Sequence, residues 1–373
     1  MNNSRYQSSR RKFITQTGLA GLGLGLLHPE LLKAMESFSA VKKDKLGIAL
    51  VGLGGYATNQ LAPALQLTEH CYLAGIVTGT PFKAEAWKQK YNIPDKNIYD
   101  YSNFDSIKDN PEIDIVYVVL PNFMHAEYTI RAAAAGKHVI CEKPMAISVE
   151  ECDRMIAACK KARKMLSIGY RLHFDPYHSE IKRLGKEQVW GKVLSFETNF
   201  AFNAKKGIWR LDKKIAGGGA LMDLGIYCIQ ASCYSTGMLP VAVTAKATEA
   251  TDPDKYIGIE QMLEFELEFP NGVKSRCKTN YTDNVNNMTV HAEKGDYGLV
   301  GGFGYNNIKG STPAGPLVYE PMNQQSKQMD AFAVSVKTNT PSIVPGEMGR
   351  RDMKIIEAIY ESLATGRKAV IKL

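Results

Sequence analysis

Lys45-Leu46-Gly47-Ile48-Ala49-Leu50-Val51-Gly52-Leu53-Gly54-Gly55-Tyr56-Ala57 is the stretch on which the fold turns. Its first seven residues make a short apolar run with polar residues before it and glycines after it, the pattern of a parallel strand buried on both faces. Gly52 to Ala57 then reads G-x-G-x-x-A between that strand and a helix. In this setting the first glycine permits a tight turn, the second lets backbone approach a pyrophosphate, and the small sixth residue lets helix and strand pack closely. Amides at the helix start then face the phosphates. A dinucleotide site formed by Gly52, Gly54, Gly55, Tyr56 and Ala57 is therefore expected.

Further strands are expected over 72–78, 115–120 and 138–141, separated by helical stretches over 60–67, 81–91 and 125–135. Such alternation builds βαβ units and a parallel sheet. After Gly169 the pattern changes to longer, partly alternating strands over 193–200, 241–249, 258–269 and 272–281, with Pro270-Asn271-Gly272 as a hairpin turn. Helices are expected over 149–164, 220–234 and 346–365, the last stopped by Gly366, and a glycine-rich loop over 298–304. The fold class is α/β: an N-terminal Rossmann parallel sheet over 45–166, then a C-terminal α/β domain over 167–373 with an open, largely antiparallel sheet.

Residues 1–40 are set apart as a leader. Ser9-Arg10-Arg11-Lys12-Phe13-Ile14-Thr15 is a twin-arginine pattern followed by an apolar, glycine-rich run over 18–27. That run falls short of the about 20 residues a spanning helix needs, so a Tat export signal and a periplasmic protein are expected, without stable membrane insertion. At 373 residues and 45% hydrophobic composition, the rest can bury a sizeable core and divide into two domains. The net charge of +8 comes from Lys and Arg scattered along the chain, with no arginine-rich tract or aromatic-basic alternation, which argues against nucleic acid as a partner. The seven cysteines form no C-x-x-C and are odd in number, so no disulfide framework or metal site is readable, and all seven are expected to be structural. An exposed face of the open sheet makes a homo-oligomer expected.

Cofactor choice is read at the end of the second strand, where NAD enzymes usually carry an acidic residue. Here Ile76-Val77-Thr78-Gly79-Thr80 is followed by Lys83, with no carboxylate before Glu85. Thr78 and Lys83 suit a 2′-phosphate, so NADP is expected over NAD. At the ends of the next strands stand Pro121-Asn122-Phe123-Met124-His125 and Glu142-Lys143-Pro144, the edge at which open α/β sheets bind ligands. The second half offers Gly217-Gly218-Gly219-Ala220-Leu221-Met222-Asp223-Leu224-Gly225-Ile226-Tyr227, where Asp223 and Tyr227 share a helix face. A cation favours a neighbouring phenolate, which can take a proton from an alcohol as hydride leaves carbon. On these residues alone Tyr227 is equally a core tyrosine and Asp223 a helix-terminal charge.

These segments, with Gly169-Tyr170-Arg171, Tyr170 to Pro176 and Trp209-Arg210-Leu211, resemble the Gfo/Idh/MocA oxidoreductase superfamily, and within it the glucose-fructose oxidoreductase branch. The resemblance covers nearly the whole chain after the leader. It implies Lys143 and Tyr227 as the catalytic pair with Asp223 assisting, and many superfamily members carry His where Tyr227 stands. It adds Pro121, Asn122, His125, Glu142, Arg171, Trp209 and Arg210 around cofactor and sugar. It further implies a tightly held NADP, reduced as an aldose is oxidised at C1 to its lactone and reoxidised by a ketose. A plain sugar dehydrogenase, a nicotinamide-dependent glycosidase of the same superfamily and a non-catalytic binding protein are the alternatives.

Overall fold

Leu46–Val51 forms β1, and all six residues are buried, as a strand covered on both faces requires. The computed structural model describes residues 43–373, so the expected leader, twin arginines included, lies outside the described residues. Beyond the glycine turn a helix opens with a π-wound turn, Ala57–Leu61, and continues as α1, Ala62–Leu65. There follow β2 (Cys71–Val77), α2 (Pro81–Tyr91), β3 (Ile98–Tyr99), β4 (Ile115–Val118), α3 (His125–Ala134), β5 (His138–Cys141), α4 (Val149–Lys161) and β6 (Leu166–Ile168). The six strands pair in the order β3-β2-β1-β4-β5-β6, every pair parallel. The order reverses between β1 and β4, and a crevice opens beyond the carboxyl ends at such a switch point.

The second half contributes α5 (Pro176–Lys186), β7 (Val193–Ala201), a π-wound turn (Leu221–Gly225) leading into α6 (Ile226–Thr236), and then β8 (Ala242–Thr248), β9 (Met262–Glu268) and β10 (Lys274–Asn280). It closes with β11 (Val285–Ala292), β12 (Gly295–Val300), β13 (Lys309–Thr312), β14 (Gly315–Leu317), α7 (Gln324–Thr338), α8 (Gly346–Thr365) and β15 (Ala369–Val370). Nine strands form one sheet, β14-β13-β12-β11-β7-β10-β9-β8-β15, antiparallel except where β7 meets β10. Phe196, Leu263, Phe265, Leu267 and Val290 point into its core. The opposite face is a ladder of paired charges: Glu264 lies 2.9 Å from Lys246 and 3.4 Å from Lys278, and Glu266 lies 2.6 Å from Lys274. Apolar-in, polar-out alternation is what a sheet covered on one side needs.

Two features depart from the division expected at 166/167. That boundary falls at the start of β6, which belongs to the parallel sheet. In addition, α7 returns to the first half, where Met329, Phe332 and Ala333 pack with Ile48, Leu50, Leu61 and Ile76, and the Asp330 carboxylate accepts from the His70 amide at 2.7 Å. α8 touches both sheets, packing against β8 of the large sheet and β6 of the parallel one. All seven cysteines are buried and unpaired, serving as small apolar residues in line with their reading from sequence.

Candidate active site

The carboxyl ends of β1, β4 and β5 and the facing loops of the second half enclose a cleft of about 650 Å³, in the size range of small-molecule sites. A hollow of about 670 Å³ also lies on the outer face of the large sheet, but it is lined by ion-paired charges far along the chain from the glycine turn. The first cleft holds the groups chemistry would use.

At its nucleotide end Gly52 has φ +99°, and a Cβ there would sit 2.7 Å from the Val119 carbonyl oxygen, so only glycine fits. Gly54 is the opposite case: a Cβ there would meet no protein atom within 4 Å. The space beside it is free for a phosphate to approach the backbone, which is the fit a dinucleotide requires. Gly55 and Tyr56 line the cleft with them, whereas Ala57 does not; it is fully buried under the turn and serves packing alone. Thr78 Oγ1 accepts from the Thr80 amide at 3.2 Å, and Lys83 Nζ donates to the Leu53 carbonyl at 3.3 Å. Among the described residues the carboxylates that line the cleft are Glu142 and Asp223, and Thr78, Thr80 and Lys83 line it at the nucleotide end.

At the other end Lys143 and Asp223, distant in sequence, meet. Lys143 Nζ donates to the Asp223 carboxylate at 3.1 Å and to its backbone carbonyl at 2.7 Å. The π-wound turn around Asp223 widens the helical ladder there, a local form common at functional sites. Burial opposes the Lys143 charge, but Tyr227 and Asp223 beside it hold its pKa above that of an ordinary lysine. Burial likewise opposes the Asp223 carboxylate, yet Lys143 and Arg210, whose Nε is 3.2 Å away, hold its pKa below the ordinary range. Lys143 Nζ lies 4.6 Å from the centre of the Tyr227 ring, and the Arg171 guanidinium lies 5.3 Å from the same ring. Cation and phenol from the two halves therefore face one cavity.

The remaining candidates divide by what they touch. Pro121, Asn122, His125, Glu142, Arg171, Trp209 and Arg210 all line the cleft. Asn122 Nδ2 donates to the Ala216 carbonyl at 2.8 Å and ties the halves together. His125 has one ring nitrogen 2.9 Å from the Pro144 carbonyl and the other 2.8 Å from that of Leu120, so its ring fixes the two strand-end loops. Glu142 accepts from Tyr117 Oη at 2.6 Å, and burial raises its pKa. Arg171 is buried, donates to the Phe303 and Gly304 carbonyls at 2.6 and 2.8 Å, and keeps a buried Nε without a partner. The Arg210 guanidinium stacks 4.5 Å from the Trp209 ring.

Sequence reasoning missed several residues. Tyr281, at the end of β10, places its hydroxyl 3.4 Å from the Asp223 carboxylate. Glu260 accepts from the Leu221 amide at 3.2 Å and so steadies the turn that carries Asp223. Tyr101, Phe200 and Tyr305 line the cleft. Tyr305 had a signal in its place just beyond the glycine-rich loop, Phe200 in the stretch 199–206 at the end of a strand, and Tyr101 in the stretch 98–104.

A Rossmann crevice with an acid-held lysine and a tyrosine facing its glycine turn defines a nicotinamide-dependent oxidoreductase acting on CH–OH groups. The chain belongs to the Gfo/Idh/MocA oxidoreductase family: residues 46–170 match the oxidoreductase family NAD-binding Rossmann fold, and residues 178–297 match the GFO/IDH/MocA C-terminal domain. The crystal structure of an aldose-aldose oxidoreductase from Caulobacter crescentus, complexed with glycerol, is 40% identical, covers 87% of this chain and 99% of its own, and superposes with a TM-score of 0.85. The NADP-dependent D-xylose 1-dehydrogenase of Haloarcula marismortui is 27% identical over 332 residues, spanning 85% of this chain and 91% of its own. A levoglucosan dehydrogenase complexed with NADH and levoglucosan shares the fold at 21% identity and a TM-score of 0.76, covering 88% of this chain and 100% of its own. Proteins that share this fold thus include users of either nucleotide.

Proposed function

We propose that the protein is an exported sugar oxidoreductase that holds NADP tightly, oxidises an aldose at C1 to its lactone and returns the hydride to a second sugar. The observation that carries the reading is the meeting of Lys143, Asp223 and Tyr227 in the cleft that the glycine turn opens. A bound nicotinamide supplies the hydride acceptor and, in the return step, the donor. As the C1–H bond of the cyclic aldose breaks and its hydride passes to the nicotinamide, the Tyr227 phenolate takes the proton from the C1 hydroxyl and the C1–O bond becomes the lactone carbonyl. The Lys143 ammonium, fixed by Asp223, stabilises the negative charge that develops on oxygen. Arg210 and Tyr281 keep Asp223 aimed at Lys143. In the return step the same tyrosine gives its proton to the carbonyl oxygen of the second sugar.

Thr78, Thr80 and Lys83, two hydroxyls and a cation lining the cleft where β2 ends, support NADP over NAD. The ketose acceptor expected from sequence has a rival: the 40% identical relative is named for two aldoses, which favours an aldose in that role. Export rests on Arg10-Arg11 and the apolar run behind them. A homo-oligomer belongs to the same reading, although the outer sheet face offers paired charges rather than apolar area, so its association is expected to weaken with salt.

The test is to purify the protein without added nucleotide, identify what it retains by mass spectrometry, and follow the near-ultraviolet absorbance of reduced nicotinamide. The absorbance rises on adding an aldose and bleaches on adding a second sugar. Loss of the nucleotide on dialysis, with turnover only when more is supplied, contradicts the closed cycle and leaves a plain dehydrogenase. Export is checked by fusing residues 1–40 to a folded reporter, whose transport fails with R10K/R11K.

A further inference from the structure

We propose that Tyr305 is the residue that retains the dinucleotide, a ring laid from the second half across the nucleotide turn of the first. The inference rests on the reading of the cleft as a dinucleotide site. Tyr305 stands in the loop between β12 and β13, whose root is pinned at several points. The Gly301 amide donates to the Asn286 carbonyl at 2.7 Å, the Phe303 amide to Asn286 Oδ1 at 2.8 Å, and Arg171 to the Phe303 and Gly304 carbonyls. Phe303 is buried and packs 5.0 Å from the Phe200 ring. Past this anchor the chain turns outward, and Tyr305 is 44% exposed.

An exposed aromatic ring on a rigid root is set apart from the core it leaves. Its ring centre is 6.1 Å from that of Tyr56 in the first half, which directly follows Gly54 and Gly55, and 4.3 Å from the Arg171 guanidinium, which also holds the root of its own loop. Arg171, buried and held by backbone carbonyls, is a fixed partner for the ring face. Thr78, Lys83, Lys143 and Tyr227 all line this cleft, and within it the Tyr56–Tyr305 contact joins the glycine turn of the first half to the β12–β13 loop of the second. In this proposal a dinucleotide lying along the glycine turn is covered by that contact, which parts for it to leave. Asp223, Lys143 and Tyr227 complete the proton chemistry without Tyr305, so its position is explained by retention rather than by the reaction.

An aromatic contact of this kind is worth up to about tenfold in an equilibrium, and the cation beneath the ring adds to it. The experiment loads the protein with NADPH and measures its release by displacement with excess NADP, followed by nucleotide fluorescence, in wild type, Tyr305→Ala and Tyr305→Phe. Thermal melting confirms that each variant is folded. Tyr305→Ala is expected to release NADPH about tenfold faster, and Tyr305→Phe to stay within about twofold of wild type, because the ring and not the hydroxyl makes the contact. Release from folded Tyr305→Ala at the wild-type rate overturns the proposal, as does release from Tyr305→Phe as fast as from Tyr305→Ala. If wild type exchanges nucleotide freely while Tyr305→Ala exchanges faster still, retention by Tyr305 stands and the closed cycle falls. Failure of the wild type to bind either nucleotide overturns both.

Discussion

The nucleotide end of the cleft is built from backbone, whereas the sugar end is built from charged side chains drawn from distant parts of the chain. Gly52, Gly54 and Gly55 act by what they lack, leaving amides and space where a phosphate can come close. Lys143, Asp223, Arg210 and Tyr227 act by what they carry, and each charge is held by its neighbours. A backbone site is local and steric, so a change there is decided by space. A side-chain site is electrostatic and cooperative, so a change at one member redistributes the others. The difference predicts which variants lose chemistry with nucleotide still bound, and which lose nucleotide with the protein still folded.

The largest effect is expected at the sugar end. Lys143→Met removes the cation beside Tyr227, and the rate of nicotinamide reduction by an aldose should fall about 10³-fold or more, with the nucleotide content of the purified protein unchanged. Next come two glycines that contrast within the same turn. Gly54→Val points a side chain into space no protein atom fills, so nucleotide affinity should fall about a hundredfold while the melting temperature stays within about 2 °C of wild type. Gly52→Val drives a side chain toward the Val119 carbonyl from a positive φ, and both affinity and melting temperature should drop.

Asp223→Asn leaves the largely buried Lys143 and the partly exposed Arg210 without their counter-charge, a change that costs about 2 kcal/mol of stability at neutral pH once solvent screening of Arg210 is allowed for, measured by denaturant unfolding. Because Lys143 and Arg210 hold the Asp223 pKa low against burial, the carboxylate contributes stability above its unfolded value of about 3.9 and loses it as pH falls through the lower folded value. The gap between wild type and Asp223→Asn should therefore be level from neutral pH down to about pH 5 and close only in strong acid. The smallest effect belongs to the adenosine end: Lys83→Ala should weaken NADP about tenfold and leave NAD nearly unaffected, read by fluorescence titration with each reduced nucleotide.

The same contrast explains what could be read in advance. The glycine turn, the parallel sheet that follows from βαβ alternation, and α8 were legible because each is set by contiguous residues with a clear period. Lys143, Asp223 and Tyr227 were legible as residue types, but their meeting depends on how two sheets face each other. β6 escaped notice because Leu166-Ser167-Ile168 is too short for a pattern, and α7 because its buried face begins with Gln324, Gln325, Ser326 and Gln328, polar residues that imitate a solvated helix. Tyr281 and Glu260 hold the Asp223 turn from strand ends with no local mark of that task. Ala57, which fits the nucleotide pattern, proved to be a packing residue, since a motif names positions without saying which of them touch the ligand.

The account as a whole requires Lys143 and Tyr227 to act on one sugar oxygen. The most direct test is the single-turnover rate of nicotinamide reduction in Lys143→Met, Tyr227→Phe and the double variant, each carrying its bound nucleotide. Residues that act as a unit are strongly non-additive, so the double variant should be no more than about threefold slower than the slower single variant. Losses that multiply in the double variant would show two independent sites of action and contradict the pairing.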